Sequence, residues 1–169
     1  EEIAYGSDPR DTNSVANTAP NSLQLNGASI LENQPLGTTI GLLQASDPDT
    51  NASLSYYFVD GNGSENNSLF SLEQNGSLAS AVLFDFENNE SSYSIRLQVK
   101  DEHNASFEKS FTISLFNVIE DFDQDGTEDH YDTDDDNDGF SDAEEIAYGS
   151  NPKDTNSVAN AAPNSLQLN

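Results

Sequence analysis

The sequence contains no cysteine, methionine or tryptophan among its 169 residues. Without thiols it has no disulfide, no thiolate metal site and no cysteine nucleophile. Basic residues are scarce: five Lys and Arg stand against 31 Asp and Glu, a formal charge of −26. Nucleic acid and anionic membranes need a basic surface, so neither is an expected partner. A compact body this acidic repels itself unless cations bind to it. No apolar run approaches the ~20 residues of a membrane helix, so direct membrane insertion is not expected, and no secretory leader pattern opens the sequence. The only histidines are His103 and His130, and neither lies in a recognisable motif. Phosphate loop, nucleophile elbow and zinc spacing are all missing. Asp85 and Glu87 can be imagined as a glycosidase pair, but their place on one strand end suits metal ligation better. The chain is not expected to be an enzyme.

What is present begins with a repeat. Residues 1–26 and 144–169 differ at only three positions, Asp8/Asn151, Arg10/Lys153 and Thr18/Ala161. The offset of 143 residues is the size of a domain rather than of a solenoid coil. The expectation is a tandem array, of which this sequence is one full unit and the first part of the next. Composition also changes sharply within the unit. Residues 120–145 hold 14 acids and no Lys or Arg, whereas residues 27–119 hold 12 acids, 3 bases and most of the large apolar residues.

The apolar stretch alternates with a period of two. Tyr93, Ile95, Leu97 and Val99 face one way, and Ser94, Arg96, Gln98 and Lys100 the other. Phe107, Phe111, Ile113 and Leu115 form a second such run. Further strands are expected at Thr39–Ala45, Leu54–Val59, Leu69–Leu72 and Leu78–Leu83, with Leu23–Leu25 and Ser29–Leu31 as a broken first strand. Turn residues separate them at Asp60-Gly-Asn-Gly, Gln74-Asn-Gly and Glu87-Asn-Asn-Glu. About seven strands in this length predict an all-β, immunoglobulin-like Greek-key sandwich. Acids gather at the expected strand ends: Glu32, Asp47 and Asp49, Asp85 and Glu87, Asp101, then Asn117, Glu120 and Asp121. Carboxylates spaced i, i+2 offer several hard oxygens from one segment, as Ca²⁺ requires; each pair alone also reads as a solvated turn.

The acidic stretch holds two copies of Asp-x-Asp-x-Asp-Gly, at residues 121–132 and 134–145. Alternate side-chain oxygens wrap a hard cation of about six to eight ligands, glycine permits the turn at the sixth place, and a twelfth-place acid closes the cage. The first loop offers Asp121, Asp123, Asp125, Asp129 and Asp132, with Thr127 lending a carbonyl. The second offers Asp134, Asp136, Asp138, Asp142 and Glu145, with Phe140 lending its carbonyl. A merely solvated acidic linker would not need Gly126 and Gly139 in register. One short helix is expected at Ser141–Tyr148, with Ser141 as N-cap and Gly149 just past its end, and Ile146 and Tyr148 are expected to pack on the loops.

Two resemblances follow from these residues. Over roughly residues 17–121 the sequence resembles a cadherin repeat. Glu32 in Glu-Asn-x-Pro-x-Gly-Thr resembles that family's N-terminal calcium glutamate, Asp47 and Asp49 its Asp-x-Asp, Asp85 and Glu87 its Asp-x-Glu, and Asp101 its late single Asp. The resemblance implies that Asp47, Asp49 and Asp101 face the preceding linker near Asn17, and that Glu32, Asp85 and Glu87 face the following one. The following linker departs from the family's Asp-x-Asn-Asp-Asn: here it reads Asn117-Val118-Ile119-Glu120-Asp121. The resemblance therefore does not fix the number of ions there. The close tandem loops resemble thrombospondin type 3 repeats in a cysteine-free bacterial form.

The expected division is 1–16 as the end of a preceding calcium linker, 17–120 as the sandwich, 121–156 as the calcium linker, and 157–169 as the start of the next sandwich. The expected role is a calcium-stiffened spacer of a long extracellular adhesin or surface fibre, at the cell surface or secreted. Its expected cofactor is Ca²⁺, and its expected partners are neighbouring repeats of the same chain or fibre. Two alternatives remain open at this stage. One is a filament subunit assembled by strand insertion. The other is a carbohydrate-binding module with an aromatic platform from Tyr5, Tyr56, Tyr57, Phe58 and Tyr148.

Overall fold

The computed structural model of the chain describes residues 16–159. The ends of the 26-residue repeat, including Tyr5 and Arg10, lie outside these residues. The described residues form two compact units that divide between Val118 and Ile119.

The first unit is a sandwich of two four-stranded sheets. In chain order its strands are β1 (Ser22–Asn26), β2 (Ser29–Leu31), β3 (Thr39–Ser46), β4 (Ser55–Phe58), β5 (Phe70–Leu72), β6 (Ser77–Ser80), β7 (Ser92–Lys100) and β8 (Ser106–Phe116). One sheet has the order β1-β3-β6-β5, the other β2-β8-β7-β4. All pairings are antiparallel except that of β2 with β8, where Ile30 stands opposite Leu115.

The expected break in the first strand is the point at which the chain changes sheets. β1 pairs with β3, and after a short step β2 joins the other sheet beside β8. Gly27 makes the step with φ +87°, and a Cβ there would lie 2.5 Å from the Ile40 carbonyl oxygen. Both the dihedral and the close approach demand glycine.

The alternation read from β7 is realised. Tyr93, Ile95, Leu97 and Val99 are buried, and they meet Leu23, Ile30, Ile40, Leu43, Phe70, Leu78, Phe84, Ile113 and Leu115 in one core. Each fully buried Leu or Ile contributes about 1.5–3 kcal/mol. Phe70, Phe84 and Tyr93 form a ring cluster with centroid separations of 4.9–6.1 Å, the tilted and edge-on contacts that aromatic quadrupoles favour. Phe107 and Phe111 pack at its margin. On the outer face of β7, Arg96 pairs with Glu108 at 2.9 Å, and Gln98 donates to the same carboxylate at 2.7 Å. The strand expected at Leu78–Leu83 is shorter, Ser77–Ser80. Its pairing with β3 ends at Thr39 opposite Ala79, and Leu83 is exposed.

The second unit is loops and one helix, α1 (Asp142–Tyr148). Ser141 caps it with a full capping box: its hydroxyl accepts from the Glu144 amide, and the Glu144 carboxylate accepts from the Ser141 amide at 3.2 Å. Gly149 ends it with φ +79°. Both ends follow from the residue types. Ile146 and Tyr148 are 69% and 57% exposed, contrary to the expected packing on the loops. The buried side chain of this helix is Glu145 instead. Among the described residues no helix is long and apolar enough to cross a membrane.

Candidate metal centre

The two acidic loops are built alike, thirteen residues apart. In the first, the Asp121 carboxylate accepts the Gly126 amide at 3.1 Å, Asp123 accepts Asp125 at 2.9 Å, and Asp125 accepts Thr127 at 2.8 Å. In the second, Asp134 accepts Gly139 at 3.1 Å, Asp136 accepts Asp138 at 3.1 Å, and Asp138 accepts Phe140 at 2.8 Å. Each ninth-place acid closes its loop on the second-place amide, Asp129 on Phe122 at 2.7 Å and Asp142 on Asp135 at 2.9 Å. Each ninth-place amide also donates to the carbonyl of the residue before its loop, Asp129 to Glu120 and Asp142 to Thr133. Gly126 and Gly139 take φ +99° and +95°, so the expected sixth-place turn is present in both.

These turns converge the carboxylates at the first, third and fifth places of each loop. Oxygens of Asp121, Asp123 and Asp125 lie within 4.8 Å of one another, as do those of Asp134, Asp136 and Asp138. At the twelfth place the loops differ. One oxygen of Asp132 accepts the amides of Thr133 and Asp134. Glu145 is fully buried, and neither of its carboxylate oxygens has a hydrogen-bond partner. The nearby Ser150 hydroxyl donates to the Glu145 carbonyl. Burial first, then the charges of Asp136, Asp138 and Asp134, push the Glu145 carboxyl above its ordinary value, with Ser150 opposing. Asp136 is nearly as buried, and single oxygens of Asp121, Asp136 and Asp138 are also buried without a partner. Unpartnered buried carboxylates are strongly unfavourable by themselves. A hard cation at each group would relieve this, and an oxygen-only donor set suits calcium.

A third group lies in the sandwich. Oxygens of Glu32, Asp85 and Glu87 come within 4.8 Å of one another. Glu32 is fully buried, and its two oxygens accept the Phe86 amide at 2.5 Å and the Val118 amide at 2.7 Å. The Asn117 side-chain oxygen is buried without a partner.

Asp47, Asp49 and Asp101 do not form such a three-carboxylate group among the described residues. Asp101 and Asp49 hold the entering chain by hydrogen bonds, while Asp47 accepts the amide of Asp49 at 2.7 Å. Asn17 donates to Asp101 at 2.8 Å, and the Thr18 amide donates to Asp49 at 2.6 Å. The other Asp101 oxygen accepts the amides of His103 and Ala105. Burial pushes the Asp101 carboxyl up, but these three donors outweigh it and hold it below the usual range. One oxygen of Asp47 remains buried and unpartnered.

Two residues of the loops and one beyond α1 were not singled out as site residues in the sequence. Gln124 and Asn137, both at the fourth place, take φ +65° and +54°, and the Asn137 amide donates to Asp123, joining the loops. Lys153 lies 2.5 Å from Asp129 and 3.7 Å from Asp135. The signal for Lys153 was present: its counterpart in the other copy is Arg10, one of three differences and one that keeps the charge. The supposed aromatic platform is not assembled from β4: Tyr56 and Phe58 pack against the core, and exposed Tyr57 lies under Lys100.

Residues 134–155 match the sequence model of the bacterial TSP3 repeat. No curated protein matches the chain. Solved structures with a similar fold include protocadherin gamma B7 extracellular cadherin domains 1–4, at 24% identity and TM-score 0.46, covering 59% of this chain and 26% of that one. Human protocadherin-24 EC1–2 aligns at 22% identity and TM-score 0.47, covering 59% and 44%. The third cadherin domain of human protocadherin 7 aligns at 19% identity and TM-score 0.45, covering 64% and 94%. The chain thus spans about a quarter of the length of the multidomain gamma B7 fragment. Residues 26–115, more than half of the sequence and nearly all of the sandwich, match the sequence model of the Cadherin domain; the chain belongs to the cadherin domain family, a family of extracellular, adhesion-type repeats rather than of enzymes.

Proposed function

We propose that this chain is a calcium-stiffened spacer unit of a long extracellular adhesin or surface fibre. The observation that carries the reading is Glu145, a fully buried carboxylate whose two oxygens have no hydrogen-bond partner, next in the chain to the converged group of Asp134, Asp136 and Asp138. Bound calcium supplies neutralising charge and about six to eight coordination positions. Asp134, Asp136 and Asp138 would hold it from the second loop and Glu145 from α1, tying loop to helix. Asp121, Asp123 and Asp125 would hold a second ion, and Glu32, Asp85 and Glu87 a third. Asp129 and Asp142 close the loops on backbone amides and so keep the ligating acids converged. The 26-residue repeat at an offset of 143 residues supports a covalent array, in which successive units add length. Extracellular modules bind calcium at roughly 10⁻⁴–10⁻³ M, so millimolar calcium outside the cell suits sites of this kind.

The test is limited proteolysis in millimolar calcium and in chelator. The reading expects residues 120–145 to be cut rapidly in chelator and to resist in calcium. Equal cutting in both conditions overturns it.

A further inference from the structure

Lys153 is the one base among the described residues 119–159, a stretch dominated by carboxylates. Its side chain is 45% exposed, but its ammonium lies 2.5 Å from Asp129 and 3.7 Å from Asp135, whose side chains are only 11% and 9% exposed. Asp129 belongs to the first loop and Asp135 to the second. Neither belongs to a converged three-carboxylate group. Asp129 is the acid that closes the first loop on Phe122, with its other oxygen on Lys153. Asp135 supplies the amide on which Asp142 closes the second loop.

We propose that Lys153 is a tethered cation that clamps the closing acid of the first loop to the second loop, so that the two loops load calcium as one unit. The proposal rests on the calcium reading of the loops. Lys153 acts as a positioning residue, binding no metal itself. It holds Asp129, which holds the backbone of the first loop in the shape that converges Asp121, Asp123 and Asp125. It arrives from the segment just past α1, the helix that directly follows the second loop's acids and carries the buried Glu145. Ordering of α1 by the second loop therefore also places the clamp on the first. The Asn137 contact with Asp123 keeps the two loops adjacent. The presence of Arg10 at the corresponding place of the other copy fits a requirement for positive charge rather than for lysine.

The test is a calcium titration of the full chain followed by amide NMR, reading Gly126 and Gly139 separately as reporters of the first and second loops. In the wild type both signals are expected to move together, with one midpoint. In Lys153→Met the Gly126 midpoint should lag that of Gly139 by at least about fivefold, the lower end of ordinary coupling between linked sites. Lys153→Arg should restore a common midpoint. If Gly126 instead leads in Lys153→Met, lysine is a competitor of the metal and the clamp is refuted. An unchanged common midpoint also refutes it. If neither glycine responds to calcium in the wild type, the calcium reading of the loops fails, and the clamp with it.

Discussion

The carboxylate of Glu32 accepts the amide of Val118 across 86 residues of sequence, at 2.7 Å. The same side chain, fully buried, accepts Phe86 through its other oxygen. One acid just after β2 thereby fastens the segment after the last strand and the segment before β7. This is a structural duty apart from any metal, since both bonds are to backbone donors.

Glu32→Ala is expected to destabilise the sandwich even in chelator. It removes two charge-assisted hydrogen bonds and leaves two amides behind, a loss of about 3 kcal/mol or more. Urea unfolding of the metal-free protein checks this. A shift below ~1 kcal/mol would mean that the bonds are dispensable.

Glu145→Gln separates the two states of the second loop. In chelator the substitution removes a buried charge that three neighbouring acids oppose, so the second unit should become more resistant to protease. In calcium the loop loses its closing carboxylate, and affinity should fall by roughly tenfold or more, since even outer-shell partners of metal ligands are worth that much. Isothermal titration of wild type and variant reads the second effect. A variant with wild-type affinity would place Glu145 outside the cage.

Gly139→Ala tests the turn rather than the ligands. No atom lies within 4 Å of a Cβ added there, so the cost is conformational. At φ +95° an L-residue loses about 1–2 kcal/mol. The second loop should bind calcium more weakly by about that amount, with stoichiometry unchanged. Calorimetric titration gives both quantities, and an unaltered affinity would contradict the need for glycine.

Much of this was legible from residue type and spacing. β7 could be read directly because Tyr93, Ile95, Leu97 and Val99 alternate without interruption over nine residues. The shape of the loops was legible because acids and a glycine recur at fixed places, and both glycines take the left-handed turn. α1 was bounded by its own caps, Ser141 and Gly149. What escaped depends on contacts distant in sequence. The break between β1 and β2 was visible, but not that β2 would run parallel to β8. That choice is made by side chains such as Ile30 finding the core beside Leu115. Asp47, Asp49 and Asp101 carried a metal-like pattern, yet spend oxygens on Asn17, Thr18 and local amides. Spacing alone did not reveal which donors these acids would meet.

The central claim, that calcium stiffens the unit, is tested most directly by small-angle scattering of the full chain across a calcium titration starting from chelator. The account predicts a flexible profile in chelator that becomes a rod-like profile with a narrow distribution of maximum dimension as calcium reaches the millimolar range. An identical profile at both ends of the titration would contradict it.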